Sequence, residues 1–151
     1  MFKIILSFLT LMLTTAISVS SVQAGGIDKE LLVRPAGSVA WQGDRAELVK
    51  TGEKLWHDPS LSKNNKTTCA GCHKDNKRMF KKSFLEPYPH YVKMPAKKAD
   101  LDSISAESMV QFCMVAPMKA EILPWDSVEL AALTAYTEDV VQKAYIAHKE
   151  K

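Results

Sequence analysis

The sequence predicts an all-α domain, and two features of the chain carry that prediction. Apolar residues recur at helical spacing in stretches that begin near residues 45, 106 and 127, and capping residues precede each stretch. Alternation of apolar and polar residues, the pattern of a half-buried strand, is hardly present. The connecting segments contain proline and polar residues without a sustained period, so we expect helices joined by loops.

The N-terminus predicts a secretory signal peptide over residues 1–24. Lys3 is followed by an apolar block at residues 4–13, and the next charge is Asp28. The uncharged run ends in Val22-Gln23-Ala24, a small-residue cleavage pattern. An uncleaved membrane anchor is the alternative, because the run is long enough to cross a bilayer, but its polar end favours cleavage before Gly25. We therefore expect a periplasmic protein that is off the membrane once the signal peptide is removed.

Length and charge limit the remaining chain to one small domain without nucleic-acid binding. Residues 25–151 are enough for a single core. Lys and Arg total 20, one of them Lys3, against 17 Asp and Glu, a balance that does not favour nucleic acid or a membrane surface. Lysines do cluster in the middle of the chain, at Lys63, Lys66, Lys74, Lys77, Lys81, Lys82, Lys93, Lys97 and Lys98. They favour an anionic substrate or an acidic partner, with a solvated lysine-rich surface as the alternative.

The mature chain is predicted to open with an extended, partly mobile leader over residues 25–43, which is rich in glycine and lacks periodicity. The first helix is then predicted to begin after Asp44, which has Glu47 three residues on in a capping-box pattern, and to end at Asp58-Pro59. Its apolar face contains Leu48, Gly52, Leu55 and Trp56.

Two further helices are predicted in the second half of the chain. Ser105 begins one of about ten residues that ends before Pro117. Asp126 and Glu129 repeat the capping-box pattern before a helix over residues 127–147. The apolar positions of that helix are Leu130, Leu133, Tyr136, Val140, Ala144 and Tyr145. Residues 74–102 between these helices and the first are predicted as mostly loop.

The stretch Cys69-Ala70-Gly71-Cys72-His73 has the C-x-x-C-H spacing that attaches a c-type haem. The two thiols reach one edge of the porphyrin and the histidine that follows binds the iron. A redox dithiol and half of a zinc site are the alternatives, but no second C-x-x-C or paired histidines complete a zinc set. We therefore predict one covalent haem c, with Cys69, Cys72 and His73 as its residues.

A helix just before this motif and a long terminal helix form the layout of a class I cytochrome c fold, which resembles this chain over the predicted domain at residues 44–151. In that family the two helices cross at close range, often with a glycine in the first and an aromatic residue in the last. Gly52 and Tyr136 fit those roles, so we expect both helices to cross around the haem. The intervening loop is expected to cover the haem edge with Phe80, Phe84, Tyr88 and Tyr91.

The sixth iron ligand is open on the residues alone, and it decides the function. Met118 lies in a loop shortly before the terminal helix, where class I cytochromes place their distal methionine, and Met94 is followed by proline as in that family. Cys113 is an unpaired thiol in an exported protein, which calls for an explanation. Further candidates are Met114, His57 and His90, and less readily Lys77, Lys93 or Lys119.

The segment at residues 110–136 resembles the end of a haem domain in two sulfur-handling cytochromes, namely the A subunit of the periplasmic Sox thiosulfate-oxidising system and the thiosulfate dehydrogenases. Residues 55–62, the C-x-x-C-H motif and Tyr88-Pro89-His90-Tyr91 extend the resemblance to about residues 45–140. It implies that Cys113 is an axial ligand at which sulfur chemistry takes place. Cys113 and Lys119 are then candidate catalytic residues, and thiosulfate or another sulfur anion is the expected substrate.

The chain departs from those families in carrying one haem motif, since they usually have a second haem domain or a separate haem subunit. An electron leaving this haem therefore needs a redox partner protein. Two functions follow from the sequence. One is an exported monohaem cytochrome in thiosulfate oxidation with His73 and Cys113 as ligands. If it is an enzyme, it is a subunit of a thiosulfate-oxidising haem oxidoreductase or thiosulfotransferase. The alternative is a simple His/Met electron carrier without sulfur chemistry. A ligand-sensing haem has weaker support.

Overall fold

Six α-helices form the part of the chain that the computed structural model describes, residues 26–73 and 82–149. They are α1 Arg45–Trp56, α2 Cys69–His73, α3 Lys93–Ala99, α4 Ala106–Val115, α5 Val128–Tyr136 and α6 Lys143–Lys149. Across these ranges the one strand-like feature is an isolated bridge between His90 and Ile104. The predicted signal peptide and the lysines Lys74, Lys77 and Lys81 lie outside the described residues. None of the helices in these ranges is long and apolar enough to span a bilayer.

Capping side chains accept hydrogen bonds from exposed N–H groups in the first turns of α1, α4 and α5. The carboxylate of Asp44 accepts from the N–H of Glu47 at 3.0 Å, and the hydroxyl of Ser105 accepts from that of Ser108 at 3.1 Å. Both predicted caps are confirmed. The predicted cap Asp126 is wrong by one residue, because the hydroxyl of Ser127 accepts from the N–H of Leu130.

α1 crosses α5 so closely that only glycine fits at the contact. A Cβ atom on Gly52 would overlap the carbonyl oxygen of Ala132 and lie 2.7 Å from the Cβ of Tyr136. Gly52 therefore lets the two backbones meet, and Tyr136 packs on Trp56 with ring centroids 5.5 Å apart. The predicted roles of Gly52 and Tyr136 at this crossing are confirmed.

The terminal helix is continuous but changes its winding in the middle. Thr137–Gln142 form a π-helical segment between α5 and α6. Because π winding adds a residue to the turn, it shifts which side chains face the interior. Val141 and Tyr145 are buried, whereas Ala144, predicted on the apolar face, is exposed.

The N-terminal segment differs from the predicted extended leader over Lys29–Leu32, which form one turn of 3-10 helix. Leu32 is fully buried against Ala99, Ile104 and Phe112. Arg34 reaches Glu107 of α4 at 2.7 Å and donates to the carbonyl oxygen of Trp125 at 2.7 Å. These contacts fix the segment against α3, α4 and the loop before α5.

α3, like the short α2, was not predicted from the sequence, and it lies in a segment expected to be mostly loop. Pro95 is its third residue, within the first turn, where the missing N–H of proline breaks no helical hydrogen bond. Asp100 ends α3 in the left-handed conformation, with φ of 53°. The N–H of Ile27 donates to the carbonyl oxygen of Lys98 at 2.7 Å, so the N-terminal segment also contacts α3.

Candidate functional site

A cavity of about 840 Å³ opens between α2, α3, α4 and α5, with further lining from the segments around Phe84 and Met118. This volume is in the range of pockets that bind cofactors. Most of its lining side chains are apolar. The predicted site residues that line it are Cys69, Cys72, His73, Met94, Cys113 and Met118. The fold therefore brings the C-x-x-C-H motif and the three main distal candidates, Cys113, Met118 and Met94, to one cavity. The further candidates Met114 and Lys93 line it as well.

The short helix α2 presents the motif to this cavity. Cys69 and Cys72 are three residues apart and His73 is four from Cys69, which places the three side chains on one side of a helical turn. The hydroxyl of Thr68 accepts from the N–H of Gly71 at 2.8 Å and so caps the turn. The local spacing therefore directs two thiols and an imidazole to the same wall.

Two aromatic rings hold the imidazole of His73. The Trp56 ring lies 5.6 Å from it between centroids, and the Phe84 ring meets it edge-on at 5.5 Å. Both aromatic residues are buried in the cluster that includes Leu133 and Tyr136. The orientation of His73 is therefore set by packing on the helix crossing.

Cys113 faces the same cavity from the last turn of α4. The three cysteines are not joined by disulfide bonds. Loss of hydration raises the pKa of Cys113 to about 12, and the nearby thiols of Cys69 and Cys72 add to that rise. Burial likewise raises the pKa of Cys69 to about 11. Both of these thiols are thus neutral near pH 7 until a metal or covalent bond takes the proton.

Met118 is held in the cavity wall by its own backbone. Its N–H donates to the carbonyl oxygen of Cys113 at 3.2 Å, and its carbonyl oxygen accepts from the N–H of Lys63 at 3.1 Å. Its side chain is 4% exposed. Met118 and Cys113 are therefore fixed relative to each other and to the loop that precedes α2.

The remaining predicted candidates occupy less central positions. Met94 lies at the cavity mouth and is 45% exposed. Lys119 is exposed, has φ of 55°, and does not line the cavity. Neither His57 nor His90 lines it: His57 contacts the carbonyl oxygen of Glu53 on the surface, and His90 stacks on Tyr88 at 4.5 Å. Phe84, Tyr88 and Tyr91 line the cavity, whereas Phe80 lies outside the described residues.

Two residues with structural roles at the site were not predicted from the sequence. Thr68 caps α2, and its position three residues before Gly71 is a usable signal, since threonine is a preferred cap. Gln111 is fully buried, donates to the carbonyl oxygen of Leu123 at 2.7 Å and accepts from the N–H of Leu123 at 2.9 Å. It anchors the loop that carries Met118. No sequence pattern pairs a glutamine with a backbone 12 residues away.

A comparison with protein-family models identifies the relatives of this chain. The model of the SoxA/TsdA cytochrome c domain matches residues 51–146. The chain belongs to this family. The comparisons with curated proteins and with solved structures found no significant match.

Membership of the SoxA/TsdA cytochrome c family confirms the predicted fold class and cofactor, a class I type all-α domain with covalently bound haem c. Haem-based electron transfer follows, and with it the need for redox partners. The residues around the cavity fit such a group: they supply two thiols on one helical turn, an adjacent imidazole and a largely apolar enclosure. When bound, the haem supplies one-electron redox chemistry. The chain supplies its attachment, ligands and shielding from water.

Proposed function

We propose that this SoxA/TsdA-family cytochrome is exported to the periplasm and transfers electrons in the oxidation of thiosulfate or a related sulfur anion. In this proposal Cys69 and Cys72 attach the haem, His73 is the proximal ligand and Cys113 is the distal ligand. The chain acts with a redox partner protein, such as a second haem subunit. The signal peptide over residues 1–24 directs export, residues 25–43 form the leader, and residues 44–151 form the cytochrome domain.

One observation carries the assignment of Cys113. Its thiol lines the same cavity as Cys69, Cys72 and His73, and it approaches from α4, a different helix from the motif. A thiol can bind iron, whereas the neighbouring Val110, which also lines the cavity from α4, can only pack. Ligands from α2 and α4 would bind the cofactor from two separate elements, as an axial pair requires.

The chemistry of the site supports a ligand role for this thiol. Burial raises the pKa of Cys113 to about 12, so an unligated thiol here stays protonated and unreactive at neutral pH. Ligation to a metal deprotonates a thiol and makes it a strong anionic donor, which lowers the reduction potential. A soft sulfur atom at this position also suits chemistry with a sulfur anion. Lys119 does not line the cavity, so its catalytic role in this proposal requires it to approach the sulfur anion from outside.

The alternative function is a simple carrier with His73 and Met118 as ligands. Met118 is buried, lines the cavity and is held on both sides by backbone hydrogen bonds, which suits a fixed ligand. Met94 is a second alternative, but its exposure at the mouth favours Met118. Ligation by Met118 would raise the potential and leave Cys113 as a neutral thiol in the wall.

Spectra of the ferric protein test the ligand assignment. We expect Cys113→Ala to change both the visible and the electron paramagnetic resonance spectra, because it removes a thiolate donor. Met118→Ala should leave them unchanged, and Met114→Ala, which removes another buried methionine from the cavity lining, is the matched control. An unchanged spectrum for Cys113→Ala with a changed one for Met118→Ala would establish the carrier alternative.

Turnover tests the sulfur chemistry separately. Thiosulfate should drive reduction of an electron acceptor by the haem-loaded protein with its partner, and Cys113→Ala should abolish that reduction. A Cys113→Ala protein that retains full thiosulfate-dependent reduction would contradict the proposal even if Cys113 were a ligand. Analysis of the N-terminus of the protein secreted by its host tests export, since cleavage should leave Gly25 first.

A further inference from the structure

A group of exposed side chains surrounds the mouth of the haem cavity. We name it the α3 patch, and its residues are Tyr91, Lys93, Met94, Lys97 and Lys98. All five residues line the cavity and are exposed, with Tyr91 at 56% and Met94 at 45%. Lys93 and Lys97 are four residues apart on α3, so they stand on one side of the helix. The patch therefore places positive charge and large apolar side chains beside the cofactor.

Among the described residues that line the cavity, the three lysines of the α3 patch outnumber the one carboxylate, Glu86. In the described ranges none of its lysines forms an ion pair, whereas Arg34, Arg45 and Lys143 all bind carboxylates. Lysines at one rim of a cleft give a local positive potential even though the whole chain is nearly balanced in charge. That potential attracts a negatively charged surface to this side of the protein.

We propose that the α3 patch is the docking surface for an acidic redox protein. The inference rests on the proposed electron-transfer function and names the face and the partner chemistry for it. The lysines steer and orient the acidic surface, while Tyr91 and Met94 form the apolar centre of a small, transient contact. In the docked pair the partner gains one electron and is reduced, and the cytochrome loses the same electron and is oxidised.

The apolar residues favour a protein over a small inorganic anion as the occupant. A hydrated anion such as thiosulfate gains nothing from an exposed Tyr91 ring or the Met94 side chain. Protein interfaces are enriched in tyrosine and methionine at their centres and have charged residues at the rim. The α3 patch combines the same kinds of residue, because the exposed Tyr91 and Met94 lie beside Lys93, and Lys97 and Lys98 follow on the next turn of α3.

Electron transfer to an acidic blue-copper protein tests the proposal. The full-length mature cytochrome, loaded with haem and reduced with dithionite, is mixed with the oxidised copper protein in a stopped-flow instrument. Lys93→Glu with Lys97→Glu should lower the second-order rate constant roughly tenfold at low ionic strength. Near 1 M salt the difference should vanish, because the Debye length falls to about 3 Å.

A matched control uses Lys50→Glu with Lys54→Glu. These lysines are also exposed and four residues apart, but they are on α1 and do not line the cavity. The net charge changes by the same amount, so a rate that stays within about twofold of the wild type supports docking at the α3 patch. An equal loss of rate in both double variants would overturn the proposal, because it would show that net charge alone governs the reaction.

Tyr91→Ser separates a protein docking surface from an anion-attracting surface. It should lower the rate with the copper protein at every ionic strength, and by a larger factor than it changes the rate with ferricyanide. If Tyr91→Ser alters neither rate while the lysine reversal slows both acceptors equally, the surface attracts anions generally and the proposal is wrong. The absorption spectrum before mixing verifies a reduced haem in each variant, so a failure of the proposed haem function is seen independently of docking.

Discussion

The two walls of the haem cavity are built by different means. The proximal wall consists of α1, α2 and α5, where Trp56, Phe84 and Tyr136 pack around His73. The distal wall consists of α4 and the loop that follows it, where Cys113 and Met118 are joined through backbone hydrogen bonds. Gln111 fastens that loop through two more hydrogen bonds. Side-chain packing therefore fixes one wall, and polar contacts to a loop fix the other.

This difference agrees with the roles of the two walls, since one orients His73 and the other presents sulfur side chains to the cavity. The histidine of the motif needs one orientation, and a close helix crossing leaves it no other. The distal wall brings a thiol and a thioether five residues apart to the same cavity. With Cys113 as the proposed ligand, the hydrogen bonds around it would be a means of setting the potential, because contacts around a metal ligand tune its donor strength.

Breaking the helix crossing should have the largest effect. Gly52→Ala adds a Cβ atom that overlaps the carbonyl oxygen of Ala132, which belongs to the backbone of α5 and cannot rotate away. We expect the free energy of unfolding to fall by about 3 kcal/mol, at the upper end of the cost of overpacking. Urea titration of the haem-loaded protein measures it.

Gly26→Ala is the matched control for that substitution. A Cβ atom on Gly26 would lie 3.7 Å from the carbonyl oxygen of Lys98, an ordinary contact distance. The same chemical change there should alter stability by no more than about 0.5 kcal/mol. Equal effects at the two glycines would show that the cost comes from the loss of glycine itself and not from the helix crossing.

Removing the loop anchor should have an intermediate effect with a different signature. Gln111→Leu keeps the side chain buried but leaves the N–H and carbonyl oxygen of Leu123 without their partner, and we expect a loss of about 2 kcal/mol. Since the backbone of this loop is hydrogen-bonded to Cys113, the proposed distal ligand, through the N–H of Met118, the ferric spectrum and the reduction potential should also change. Potentiometric titration of the purified variant measures the second effect.

Gln142→Leu provides the comparison in the terminal helix, outside the loop that carries Met118. Gln142 is also buried and donates to the carbonyl oxygen of Glu86 at 2.6 Å. This contact is a single hydrogen bond, and it does not involve the loop that carries Met118. Its loss should cost about 1 kcal/mol and leave the potential unchanged. A potential that shifts equally in both variants would contradict the positioning role of Gln111.

The sequence predicted the proximal wall better than the distal one for a physical reason. Helix periodicity, the C-x-x-C-H spacing and the small residue at Gly52 are local signals, and they predicted α1, the haem-attachment residues and the crossing of α1 with α5. The pairing of Gln111 with Leu123 depends on the path of a loop, which no period encodes. The π segment at Thr137–Gln142 likewise displaced the buried face from Ala144, because a regular helical period cannot register an inserted residue.

Ion pairs contribute least to the stability of the proximal wall, although they too link α1 to the terminal helix. Arg45, at the start of α1, donates to Asp139 at 2.6 Å and to Glu138 at 2.9 Å in the π segment. The side chain of Arg45 is 52% exposed, so solvent screens the pair. We expect Asp139→Asn to lower the free energy of unfolding by only about 0.5 kcal/mol near neutral pH.

The pH dependence of that small loss has a defined sign. The hydrogen bond from Arg45 is the main cause that holds the pKa of Asp139 below its ordinary value of 3.8. A lowered carboxyl pKa stabilises the folded state fully above the ordinary value, and the contribution disappears as the pH falls through the folded-state pKa. Urea midpoints of wild type and Asp139→Asn should therefore differ near neutral pH and converge in acid. A difference that grows in acid would contradict this linkage. A difference near neutral pH as large as that of Gly52→Ala would mean that ion pairing rather than packing fastens α1 to the terminal helix.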